Sequence, residues 1–204
     1  VLYVGMSGGI SGAARIAQIA ANEVLADYPD RQIEVIDTYA ASLGEGFQVL
    51  SAAEMLASGM SLSEAADKLR ADRAHMCQYF TVDDLSYLQR GGRISGAAAL
   101  VGTVLQIKPV LVGDETGHIV VSDKVRGRKQ SLTYLADKYD ALALDKSAEL
   151  GIAHGDCMDA VEFLLGKLRD RGFTGEPMVV MYEPVTGGHV GPGTVALFFR
   201  GTHK

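Results

Sequence analysis

The sequence predicts an α/β fold in two domains, a parallel-sheet first domain followed by a second α/β domain with a mixed sheet. Three observations carry this. Val1–Asp37 runs strand, glycine turn, helix, strand, which is one parallel βαβ unit. Asp114-Glu115-Thr116-Gly117 is a hairpin turn signal between two β-rich runs, 109–112 and 118–123. The helical pattern of residues 61–76 then gives way to strands, which places the boundary between residues 74 and 78 and the domains at 1–75 and 76–204.

Taken in order, residues 1–6 read as a buried strand. Gly12–Asp27 reads as a helix capped by Ser11, with Ile16, Ile19, Ala20 and Val24 at helical spacing on its inward face. Gln32–Asp37 is a strand. Ala40–Gly59 is a helix apart from an uncertain start at Leu43-Gly44-Glu45-Gly46. Ser61-Leu62-Ser63-Glu64 is a capping box opening a third helix to about Met76. Gln78–Val82 and Ala148–Ala153 are strands, and Ser131–Leu142 is a helix. Asp156 caps a helix to Arg171, with Val161, Leu164, Leu165 and Leu168 inside. Met178–Tyr182 and Val195–Arg200 are the last strands.

Composition excludes several classes of function. The chain has 204 residues, 48% of them hydrophobic and 22% charged, enough apolar content for a real core. Its net charge of -6 argues against sequence-independent binding to nucleic acid phosphates. Cys77 and Cys157 show neither metal spacing nor a disulfide framework, and free thiols point to a reducing cytoplasm. No apolar run approaches the length of a membrane span. There is no P-loop, HExxH or G-x-S-x-G elbow, and no pair of acids at a telling spacing, so no catalytic residue and no cofactor is assigned.

The most distinctive stretch is 87–112, YLQRGGRISGAAALVGTVLQIKPVLV. A basic glycine turn, Arg90-Gly91-Gly92-Arg93, precedes a small, uncharged helix expected over 96–105 and capped by Ser95. Lys108-Pro109 ends that helix and starts a strand. A helix without a polar face is buried or covers something apolar, and an arginine at its start needs an anion or several hydrogen bonds. The same residues also fit a core helix with a solvated arginine.

Two further turns bear on chemistry. Ser7-Gly8-Gly9-Ile10-Ser11-Gly12 lies between a strand and a helix, where converging N–H groups and the helix dipole favour an anion. It matches the dinucleotide fingerprint G-x-G-x-x-G except that Ser7 replaces the first glycine, and Asp37 ends the next strand where a ribose-binding acid is expected. A Rossmann-type oxidoreductase is therefore the alternative reading. His189 stands between Gly187-Gly188 and Gly191-Pro192-Gly193, in a turn where backbone can approach a ligand closely. His154, at a strand end, reads as structural.

Four motifs in order resemble the DegV family of bacterial fatty-acid-binding proteins. They are the Ser7–Gly12 turn, similar to SSxLSG; Val35-Ile36-Asp37-Thr38, similar to VIDS; LQRGGRIS with IKPVL and Lys124-Val125-Arg126-Gly127; and His189-Val190-Gly191-Pro192-Gly193-Thr194, similar to HTGPGT. Ala13-Ala14 departs from the Thr-Tyr usual in the family, which removes one donor near the turn. The resemblance implies a DegV-like two-domain fold and a long-chain fatty acid in a buried apolar slot between the domains. It implies that Ser11, Arg93 and His189 hold the carboxylate, with no catalysis by the chain itself. It further implies presentation of the acyl group to a separate fatty acid kinase for acyl phosphate formation.

Two expectations concern the ends and the surface. Residues 1–75 supply only two parallel strands and three helices, fewer strands than the five or six or so of an average sheet. With Val1 already in a strand, the chain is expected to begin inside its first domain, lacking a threonine-bearing loop that helps hold the carboxylate in relatives. Asp123–Lys129 carries four cations and one acid in seven residues, the densest basic run of an acidic chain. It reads either as a solvated loop or, with Arg126 at its centre, as the docking surface for the kinase.

Overall fold

The structure is a computed structural model that describes residues 1–95 and 106–203. The small apolar helix expected over 96–105 lies outside the described residues. The fold is α/β. The chain divides into two compact units, Val1–Ala74 with Glu115–His118, and His75–Asp114 with Ile119–Lys204. The sequence-based division at 75/76 leaves the hairpin turn wholly in the second part, whereas the structure counts its tip in the first unit.

The first unit contains β1 (Leu2–Gly5), α1 (Ala13–Asp27), β2 (Glu34–Asp37), α2 (Leu43–Ala57) and α3 (Leu62–Asp72). β1 and β2 pair in parallel, Leu2 opposite Glu34 through Gly5 opposite Asp37. Ile36, Ala52, Ala66 and Leu69 form its apolar centre. The Ser61–Glu64 capping box is present, each side chain bonding the other residue's backbone N–H. α2 starts at Leu43, so the glycines at 44 and 46 do not delay it.

Two expectations for α1 are corrected. Ser11 does not cap the helix in the usual way: Gly12 is the N-cap residue, and the Ser11 hydroxyl accepts from Ala13 N–H at 3.3 Å. Nor do the large residues face inward, since Ile16, Ile19 and Val24 are 64%, 48% and 42% exposed. Ala14 and Ala21, two turns apart, are the buried positions.

The second unit contains β3 (Met76–Thr81), α4 (Ser86–Arg90), β4 (Ile107–Gly113), β5 (Ile119–Arg126), α5 (Arg128–Leu142), β6 (Leu150–His154), α6 (Met158–Asp170), β7 (Pro177–Met181), α7 (Pro184–Val190) and β8 (Val195–Arg200). The strands form one mixed sheet in the order β5-β4-β3-β8-β6-β7. β6 and β7 are parallel; every other pair is antiparallel. Alternation along the strands sends side chains to opposite faces. On one face Tyr79, Val110 and Leu197 meet Leu132, Leu135 and Tyr139 of α5 and Val161, Leu164 and Leu168 of α6. Phe80 and Leu111 point the other way, into a second cluster with Val82, Leu85, Leu88, Ile94 and Val190. The register of β4 with β5 shifts between Val110 and Leu111, where β5 carries the extra residue, Ser122.

Asp156 does not cap α6. It adopts φ 51° while Cys157 takes the N-cap position without a side-chain bond. Two short helices, α4 and α7, are absent from the sequence reading, and both bear on the site.

Candidate functional site

In the first unit the Ser7–Gly12 turn follows β1 at the carboxyl end of a parallel pair, the usual place for ligand-binding loops. Ser7 organises it. Its buried hydroxyl donates to Gly117 O at 2.8 Å and accepts from Gly9 N–H at 3.2 Å. Its carbonyl accepts from Ile10 N–H and Ser11 N–H, at 3.1 and 3.0 Å. A Cβ on Gly9 would lie 2.4 Å from the Gly117 carbonyl carbon, so the hairpin tip excludes any side chain there.

Gly8 N–H donates to both carboxylate oxygens of Asp37, at 3.1 and 3.0 Å, and Asp37 also accepts from Tyr39 N–H at 3.1 Å. This corrects two expectations. The N–H groups of Gly8, Gly9, Ile10 and Ser11 are satisfied inside the unit, so the turn is not a nest of open amides. Asp37 is committed to this turn rather than held out toward a ribose, which removes the geometric basis of the dinucleotide reading. Ser11 itself is half-buried, and a hydroxyl that accepts from Ala13 keeps its own proton to donate. Nearby in the same unit, burial raises the Glu45 carboxyl above its ordinary value, opposed by a hydrogen bond from the Met6 backbone.

In the second unit α4 is opened by Asp84, which accepts from the Ser86 N–H and hydroxyl at 2.8 and 2.7 Å. It closes in the Gly91-Gly92 turn, where Gly92 has φ 72° and Arg93 N–H returns to Leu88 O at 2.9 Å. The Arg93 guanidinium is exposed and donates to Gly91 O at 2.6 Å. His189 is not in a simple turn: it occupies the last turn of α7. Glu183 caps that helix, accepting from Val185 and Thr186 N–H at 2.6 and 2.8 Å, and Pro184 presets its first turn. An acid followed by proline is a legible N-terminal signal that could have revealed α7. Gly191 ends the helix with φ 80°, and a Cβ there would lie 2.6 Å from the Tyr87 ring.

Arg93 and His189 both lie against Gly91, the guanidinium at its carbonyl and the imidazole at the place of a Cβ, close in sequence to Leu88, Ile94 and Val190 of the apolar cluster. A cation and an imidazole at the edge of apolar surface suit a carboxylate with a long apolar tail. Ser11 belongs to the first unit. His154 is buried, its Nδ1 accepting from Cys157 N–H at 3.2 Å, a structural role. Burial pushes the Cys157 thiol up, with Arg128 opposing, so it is no activated nucleophile.

The basic run is not a loop: β5 continues to Arg126 and α5 begins at Arg128. Its cations diverge. Arg126 is exposed, whereas Arg128 turns inward, donating to Gly193 O and lying 4.0 Å from Asp83. Among the described residues no cluster of His, Cys, Asp and Glu forms a metal site, and no helix is long and apolar enough to cross a membrane.

A family model described as "Uncharacterised protein, DegV family" matches residues 1–202. A DegV domain-containing protein of Clostridium perfringens is 37% identical over 205 residues, covering 100% of this chain and 70% of the relative. A solved DegV family protein from Thermus thermophilus, described as fatty acid binding, is 36% identical with a TM-score of 0.85, covering 97% of this chain and 69% of its own. The fatty acid binding DegV family protein from Streptococcus agalactiae is 31% identical with a TM-score of 0.87, at 97% and 69% coverage.

Proposed function

We propose that this chain, which belongs to the DegV family, binds one long-chain fatty acid and holds its carboxylate with Ser11, Arg93 and His189. The observation that carries the reading is the meeting of Arg93 and His189 around Gly91 at the edge of an apolar cluster. Relatives at 31% and 36% identity described as fatty acid binding support it. About fourteen buried methylenes, at roughly 0.8 kcal/mol each, contribute on the order of 11 kcal/mol before ordering costs. Binding needs no catalytic group, and the polar residues serve to compensate the desolvated carboxylate.

Native mass spectrometry of protein purified without added lipid tests this. One fatty acid of roughly 14–18 carbons is expected, because an apolar ligand of that size leaves slowly. A bound nucleotide, with no fatty acid in the extract, contradicts the reading.

The finer proposal is that the loaded carboxylate is presented to a separate ATP-dependent kinase, with Arg126 on the docking surface. The family likeness of Lys124-Val125-Arg126-Gly127 and the exposure of Arg126 support it. Arg126→Ala is expected to leave fatty acid affinity and Tm unchanged while acyl phosphate formation with the cognate kinase falls, more so at high salt. Full turnover in that assay returns Arg126 to a solvated strand end.

A further inference from the structure

Gly91 is a glycine for an unusual reason. Its φ of -71° and ψ of -10° are open to any residue, unlike Gly92 beside it at φ 72°. Backbone freedom therefore does not explain it; space does. A Cβ built on Gly91 would lie 2.2 Å from His189 Nδ1 and 3.0 Å from His189 Cε1, with Tyr87 O at 3.3 Å. The Nδ1–Cε1 edge of the imidazole fills the volume a side chain would take, and Nε2 is the ring nitrogen turned away from the turn.

His189 is otherwise held through its helix. Glu183 caps the start of α7, the Gly191 N–H returns to Gly187 O at 2.8 Å, and the Tyr87 ring occupies the space beside Gly191. These contacts fix the backbone of α7 but not the ring of His189. The ring is the far end of a rotatable side chain, so a methyl at residue 91 displaces it without breaking α4 or α7. Gly91 also offers its carbonyl to the Arg93 guanidinium at 2.6 Å. One residue thus sets the place of both groups proposed to meet the carboxylate.

We propose that Gly91 is the positioning residue of the headgroup site: by lacking a side chain it seats the Nδ1 edge of His189 and presents Nε2 to the ligand. This rests on the fatty acid reading, and the test separates the two. The variant is Gly91→Ala in the full chain, with Gly188→Ala as control, since a Cβ at Gly188 meets nothing within 4 Å. The first readout is the imidazole NMR signature of His189 in ligand-free protein, assigned with His189→Ala. It is expected to shift in Gly91→Ala and to stay in place in Gly188→Ala. The second is oleate affinity, expected to fall about tenfold or more in Gly91→Ala. In the His189→Ala background the same change should add little, because the two act through one group.

An unmoved His189 signal overturns the proposal, as does full additivity of the two substitutions. If wild-type protein binds no oleate, the fatty acid reading fails, while the His189 signal still decides whether Gly91 seats the ring. If Gly91→Ala alone does not fold, the double variant decides. Recovered folding supports a clash with the ring, and a double variant equally unfolded overturns it.

Discussion

The two units hold their candidate residues differently. In the first, a two-stranded sheet carries a turn locked by polar bonds: Ser7 to Gly9 and Gly117, Asp37 to Gly8 and Tyr39. Its helices leave Ile16, Ile19, Val49 and Leu50 exposed. In the second, a six-stranded sheet is packed on both faces, and the candidate residues stand in the turn after α4 and on α7, beside the apolar cluster. The turn of the first unit is thus shaped by hydrogen bonds between backbone and side chains. The second unit is shaped by packing and by glycines that let rings approach.

The largest expected effect separates the units by burial. Leu164, fully buried between α6 and the sheet, should cost about 2–5 kcal/mol when cut to alanine. Ile16→Ala, at a 64% exposed position, should stay within roughly 0.5 kcal/mol of wild type. Chemical denaturation of both variants checks this, and equal losses would erase the contrast.

A smaller effect sharpens it through the helix caps. Ser61→Ala should cost about 1 kcal/mol, the usual worth of an N-cap. Glu64 and Glu183 are each held below the ordinary glutamate range, chiefly by side-chain hydrogen bonds with Ser61 and Thr186 respectively. A lowered folded pKa means the stabilisation is complete above the unfolded value, about 4.3, and is lost as pH falls through the folded one. Tm measured from about pH 6 down to about pH 3 should therefore fall less steeply in Glu64→Gln and Glu183→Gln than in wild type. Glu45 has the opposite sign: burial raises its pKa, so Glu45→Gln should help most at neutral pH.

Most of the fold was legible because strands and long helices announce themselves by periodicity and caps. The capping box at Ser61 and the strand Val195–Arg200 were read residue for residue. On α1 hydrophobicity marks Ile16 and Ile19, whereas the buried positions are Ala14 and Ala21. α4 and α7, with five and seven residues, are too short to show a period. The candidate residues Arg93 and His189 could be picked from the sequence, but their meeting at Gly91 could not. That contact joins residues about a hundred positions apart and depends on a missing side chain. The occupation of the Gly8 amide by Asp37 was equally invisible, since it turns on where one carboxylate points.

The most direct test compares oleate with oleyl alcohol, which has the same chain but no carboxylate, across wild type, Ser11→Ala, Arg93→Ala and His189→Ala. The account predicts that wild type prefers oleate by roughly tenfold or more and that each substitution narrows the gap, mainly by weakening oleate. Equal affinity of wild type for both ligands, or a gap unchanged in all three variants, would contradict it.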